Sequence, residues 1–167
     1  MFYSRLGLIY HEIKLRKECV ESLVASIKIF PANWSAWDLL RKKLTVSEFE
    51  EYALPECIAY RFFKIDFKLE NNLTDGIKDD IDFLTEYDYS VEVLKRTANY
   101  HYAMKDLEKS SIYFDRILKE HKGVLDSLDV YSNILFVNEE TSKLANLAHY
   151  CLEINRYRPE TCIVIGT

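Results

Sequence analysis

Glycine and proline are scarce in this chain, four and three among 167 residues, so few positions can break a helix. Cysteine is equally sparse. Cys19, Cys57, Cys151 and Cys162 contain no C-x-x-C pair, which removes the common zinc and redox spacings and predicts free thiols in a core. No apolar run approaches the roughly 20 residues that span a bilayer. The opening stretch MFYSRLGLIYHEIKLRK interleaves charges with apolar residues and so lacks the unbroken apolar segment of a secretory signal. Basic residues are outnumbered by acidic ones, 22 against 27, for a net charge of −5, and no concentrated basic face offers a nucleic acid its counterion-releasing contacts. A soluble intracellular protein with neither a nucleic-acid nor a membrane partner is the expectation.

Catalytic constellations are missing as well. There is no glycine-rich phosphate loop, no G-x-S-x-G elbow and no H-E-x-x-H pair. His11, His101, His121 and His149 are scattered, and His101 reads as a hydrogen-bonded structural histidine. Asp79, Asp80 and Asp82 share a helix whose other face is apolar, so they read as a solvated face, as do the basic runs Lys14 to Lys17 and Arg41 to Lys43. The expectation is a non-enzyme without metal or cofactor.

What the chain does carry is a recurring pattern with a spacing of about 34 residues, the tetratricopeptide (TPR) period. Tyr3, Leu6, Gly7 and Tyr10 reproduce the W-x2-L-G-x2-Y core, and Cys19, Leu23, Ser26 and Pro31 follow at the positions of the A-x3-F…P half. Trp37, Leu40, Leu44 and Ala53 form a second copy, and the third arrives about 11 residues early. Regular copies then run through Tyr60, Phe63, Phe67 and Gly76; Leu94, Ala98, His101, Ser110, Phe114 and Ile117; and Leu128, Tyr131, Ser132, Leu135 and Cys151. Ile165 and Gly166 open a sixth.

Small side chains are needed where two antiparallel helices approach most closely. Gly7, Ala98, Ser132 and Gly166 on first helices are expected to meet Cys19, Ala53, Gly76 and Ser110 on second helices. The predicted fold is therefore all-α, a single right-handed α-solenoid of TPR helix pairs over 1–167, with repeats at about 1–33, 34–54 (shortened), 55–88, 89–122, 123–158 and a partial one at 159–167. Helices are predicted near 2–14, 17–30, 34–44, 47–54, 55–71, 75–87, 89–104, 107–121, 125–137, 140–155 and from 160 onward. Ser47 with Glu50 reads as a capping box opening the helix at 47–54, Thr74-Asp75 as a further start and Gly123 as a stop.

A solenoid of helix pairs presents a concave surface to other polypeptides. Groove-facing positions are Met1, Ser4, Leu8 and His11 in the first repeat, Glu92, Lys95, Asn99 and Tyr102 in the fourth, and Asp129, Asn133 and Phe136 in the fifth. Leu8, Tyr102 and Phe136 are apolar at these solvent-side positions.

The runs PANWSAWDLL (31–40), DVYSNILFV (129–137) and LAHYCLEINRYRPETCIVIG (147–166) resemble the cell division cycle protein twenty-three family, a tetratricopeptide subunit of the anaphase-promoting complex. The resemblance runs along essentially the whole chain and is weaker across 45–90. It implies a non-catalytic scaffold in a multisubunit ubiquitin ligase of mitosis, nuclear and cytoplasmic, whose partners are the other subunits and a second copy of itself. By the same resemblance the chain is an amino-terminal piece of a longer solenoid, with Ile163 and Ile165 poorly ordered or docked on a neighbour. Members form homodimers through amino-terminal repeats, which would place Tyr3, Leu8, Tyr10 and His11 in a self-complementary interface. The alternative is a peptide-binding adaptor of the co-chaperone type, for which Lys95 and Asn99 supply one polar pair.

Overall fold

The structure, a computed structural model, describes residues 2–87 and 89–167, so the groove position Met1 and Asp88, the end of the expected third repeat, lie outside the described residues. Among the described residues all regular structure is α-helical. The helices are α1 (Phe2–Glu12), α2 (Arg16–Ile29), α3 (Trp34–Lys43), α4 (Ile58–Glu70), α5 (Lys78–Thr85), α6 (Val91–Ala103), α7 (Leu107–Glu120), α8 (Leu128–Val137), α9 (Thr141–Asn155) and α10 (Pro159–Gly166). The chain divides into two compact units, Met1–Leu73 and Thr74–Thr167. Each is built of TPR-type helix pairs.

In the first unit the α1–α2 pair closes on Gly7. The Cys19 thiol donates to the Gly7 carbonyl at 3.2 Å, and a Cβ on Gly7 would stand 2.9 Å from Leu23 Cδ2. Any larger residue there would have to displace Leu23. Cys19, Leu23 and Ile27 continue into a core around Trp37, whose ring lies 5.1 Å from Phe63 and 6.1 Å from Tyr60 and whose indole N–H donates to Pro31 O at 2.8 Å. Burying a side chain of this size stabilises by about 3 kcal/mol, and the satisfied N–H avoids a desolvation cost.

In the second unit the α6–α7 pair repeats that contact with different chemistry. Ser110 Oγ donates to Ala98 O at 2.8 Å, twelve residues apart in sequence as in the Cys19–Gly7 bond. Phe114, Ile117, Leu128, Tyr131, Leu135, Leu147, Cys151 and Val164 extend this core, with Phe114 stacked on Tyr131 at 5.3 Å. Tyr131 donates its hydroxyl to Asp115 at 2.5 Å; burial, then the Asp115 carboxylate, push its ionisation well above the ordinary tyrosine range. It remains a neutral donor.

One turn recurs after four helices. Lys14, Asn72, Lys105 and Glu139 adopt φ of 62°, 56°, 63° and 57°, and the following residue's N–H bonds five residues back, as in Leu15 N to Tyr10 O, Leu73 N to Lys68 O, Asp106 N to His101 O and Glu140 N to Leu135 O. This is the Schellman closure, with non-glycine residues where glycine is usual. Asp106 then caps α7 by accepting from Lys109 N at 3.1 Å, and the Cys57 thiol does the same for α4 from Tyr60 N at 3.4 Å.

Several expectations are corrected. Residues 47–54 form turns, not a helix, and the Ser47–Glu50 capping box is not made. Instead Glu48 accepts from Thr45 N at 3.0 Å and Thr45 Oγ1 at 2.7 Å while pairing with Arg16. Phe49 is drawn onto Phe67 and Phe63, at 4.7 and 6.0 Å between ring centres. Burying that ring outweighs the local preference for a helical turn. Ala53 and Gly76 are consequently not helix-contact residues: both are exposed, and Gly76 sits in a turn at φ 68° before α5. Gly166 faces open space. Of the four free cysteines, Cys19 and Cys151 are buried as expected, whereas Cys57 is half-buried and Cys162 exposed. Ile163 and Ile165 lie in α10 and are exposed, while Val164 and Thr161 carry that helix's packing.

Candidate protein-binding surfaces

Two surfaces follow from these helices. On α1, Gly7 must face α2, and Tyr10 is half-buried against the core behind it. At 3.6 residues per turn that leaves Phe2 and Ile9 along another face, continued by Ile13 in the turn after the helix, where they are 72%, 56% and 56% exposed, with Leu8 51% exposed beside them. Tyr3 is exposed and meets Phe2 edge-on at 5.5 Å, while Ser4 and His11 are half-buried. The expected interface residues of α1 thus separate: Tyr3 and Leu8 reach solvent, and Tyr10 faces inward. Phe2, Ile9 and Ile13 escape a sequence reading because their spacing is also that of a core stripe. Large apolar groups clustered at a surface mark interaction sites more often than isolated ones do.

The second surface lies in the second unit, where a cleft of about 410 Å³ is lined by Val91, Glu92, Lys95, Asp126, Ile154 and Arg158 among others. Lys95 bonds Glu92 at 2.7 Å and Asp126 at 3.2 Å; Asp126 in turn bonds Arg158 at 2.6 Å, and Arg158 reaches Glu160 at 3.1 Å. Burial raises the Glu92 pKa, but the Lys95 and Arg96 hydrogen bonds outweigh it and hold the carboxylate below its usual range. Asn99 donates to Ser127 Oγ at 3.1 Å. The pair Lys95 and Asn99 is therefore occupied by the chain's own 126–127 turn. Asp126 and Ser127 lie 31 and 28 residues downstream of their partners, and Arg158 lies farther along still; none carries a local signal of this role.

The remaining expected contacts lie on neighbouring helices. Tyr102 is half-buried with the Lys105 ammonium 5.8 Å from its ring centre, Asn133 is exposed, and Phe136 is 61% exposed beside Val137. His101 stacks on Tyr113 at 5.6 Å with its Nδ1 3.9 Å from Asp106; burial lowers its pKa, so the ring is a packing element. Among the described residues no group of three or more His, Cys, Asp or Glu could hold a metal ion, and no helix is long and apolar enough to cross a membrane.

Known proteins give these surfaces a context. Residues 3–89 match the family model described as Anaphase promoting complex subunit 8 / Cdc23. Relatives include Anaphase-promoting complex subunit 8 of Dictyostelium discoideum, 33% identical over 99% of this chain and 28% of the relative, and its namesake in Arabidopsis thaliana, 28% identical over 96% and 29%. Anaphase-promoting complex subunit CDC23 of Saccharomyces cerevisiae is 29% identical over 99% of this chain and 30% of its own length. The chain thus spans less than a third of the length of these relatives. Its helix pairs and the match over 3–89 show that this chain belongs to the anaphase-promoting complex subunit 8/Cdc23 family.

Proposed function

We propose that the protein is a non-catalytic assembly subunit of the anaphase-promoting complex, acting in the nucleus and cytoplasm, and that this region brings two copies together while other subunits bind elsewhere on the protein. The family match over residues 3–89 carries the reading. The exposed apolar face of α1 supports the homodimer, because Phe2, Leu8, Ile9 and Ile13 offer a water-exposed stripe whose burial against a second copy would release apolar area at roughly 25 cal/mol per Å². Tyr3 and Leu8 join that contact, with Ser4 and His11 at its edge. Tyr102, Asn133 and Phe136 are the remaining contact positions for protein partners.

The co-chaperone alternative draws less support. Its polar pair, Lys95 and Asn99, is already bonded to Asp126 and Ser127, so a peptide carboxylate would have to displace both. Light scattering on the 167-residue chain tests the homodimer: at tens of micromolar the mass should be twice 19.7 kDa and fall to 19.7 kDa in Phe2→Asp/Ile9→Asp. A monomeric parent would reject it.

A further inference from the structure

A cleft of about 390 Å³ opens in the first unit between the end of α1, the start of α2 and the end of α3. Its floor is Tyr10 and the buried Cys19, and its rim is His11, Lys14, Arg16 and Lys43, with Glu12 the one acidic lining residue. Arg16 is committed to Glu48. Lys14 is exposed and Lys43 half-buried, and neither forms an ion pair among the described residues.

Lysines at helix ends usually compensate the carbonyls there. Here four of those carbonyls already have donors. Tyr10 O accepts from Leu15 N and His11 O from Lys14 N, while Leu40 O accepts from Leu44 N and Lys43 O from Arg16 Nε at 3.0 Å. The two lysines therefore line the cleft with no internal anion bonded to either. Burial pushes the Cys19 thiol up, and the Lys43 charge opposes that shift.

We propose that this cleft binds a carboxylate side chain and its apolar neighbour from an extended acidic segment of another protein, with Lys14 and Lys43 meeting the charge and the Tyr10 ring the apolar group. The volume suits one or two side chains, at the lower end of ordinary binding pockets. The chain's net charge of −5 works against acidic ligands everywhere else, so binding here must be local and salt-sensitive. The proposal does not depend on self-association: Lys14, Lys43 and Tyr10, which make the contact, lie off the Phe2–Ile9–Ile13 stripe, and only His11 of the rim also borders the dimer contact.

The test is fluorescence anisotropy with a short labelled peptide alternating glutamate with leucine and phenylalanine, titrated with the 167-residue chain at about 50 and about 500 mM salt. Saturable binding is expected, weakened about tenfold or more by high salt and by Lys14→Glu or Lys43→Glu, unchanged in Lys119→Glu, and lost when the peptide's glutamates become glutamines. Lys43→Gln serves as the milder variant, and superimposable thermal melts verify folding. No saturable binding, equal loss in Lys119→Glu, retention of the glutamine peptide, or binding only of a phosphoserine peptide would each overturn the assignment.

Discussion

The contact at Gly7 offers the sharpest perturbation. An alanine there places Cβ 2.9 Å from Leu23 Cδ2 and 3.1 Å from Cγ, short of the roughly 3.5–4.0 Å at which carbon atoms rest. Leu23 cannot simply swing away, since it is 1% exposed within the Trp37 core. Overpacking of that kind costs about 1–3 kcal/mol, while replacing a mid-helix glycine by alanine returns about 1 kcal/mol of helix propensity. The net expectation for Gly7→Ala is a loss of up to about 2 kcal/mol, despite its being a helix-favouring substitution. Leu23→Ala alone should cost about 2–5 kcal/mol. The double variant should be more stable than the sum by about 1–3 kcal/mol, because the removed methyls are those the new Cβ strikes. Urea denaturation followed by circular dichroism, with unchanged slope, measures all three. A stabilised Gly7→Ala that adds independently to Leu23→Ala would show that the helices do not meet as described.

Lys105→Gly should stabilise by about 1 kcal/mol, since φ of 63° suits glycine, whereas Gly123→Ala, at φ 90° with open space around its Cβ position, should destabilise through backbone strain alone; both are read from denaturation midpoints. Thiol labelling under native conditions should modify Cys162 first and Cys57 more slowly, with Cys151, buried and pushed up to about 11, reacting only through unfolding. The hydrogen bonds from Arg16 and Thr45 hold Glu48 at about 2, below its unfolded value of 4.5. Its contribution is therefore present above about pH 4.5 and lost as pH falls toward 2, so the stability gap between the parent and Glu48→Gln, measured against pH, should close over that interval.

The parts of the fold legible in the sequence are those fixed by spacing. The twelve-residue separation of Gly7 from Cys19 and of Ala98 from Ser110 announces the two helix pairs before any coordinate is known, and both pairs close through a side chain bonding the partner backbone. The irregular second repeat is legible only as an irregularity. Ser47 and Glu50 imitate a helix start, and nothing local reveals that Phe49 is bound for the Phe63–Phe67 surface. Left-handed turns at Lys14, Lys105 and Glu139 are hidden for a related reason, because the glycine that would advertise them is missing. At the candidate surfaces, periodicity locates Lys95 and Asn99 but not the Asp126 and Ser127 that engage them, nor the Arg158 that engages Asp126. Exposure of the α1 stripe is likewise a property of what lies next to it in space, which spacing alone does not encode.

Affinity purification of the full-length protein under native conditions, with quantitative mass spectrometry of what accompanies it, tests assembly into the anaphase-promoting complex most directly. The complex's other subunits are expected in near-stoichiometric amounts, with two copies of this protein per particle. Recovery of chaperones or unrelated peptide-tailed proteins in their place, with those subunits missing, would contradict it.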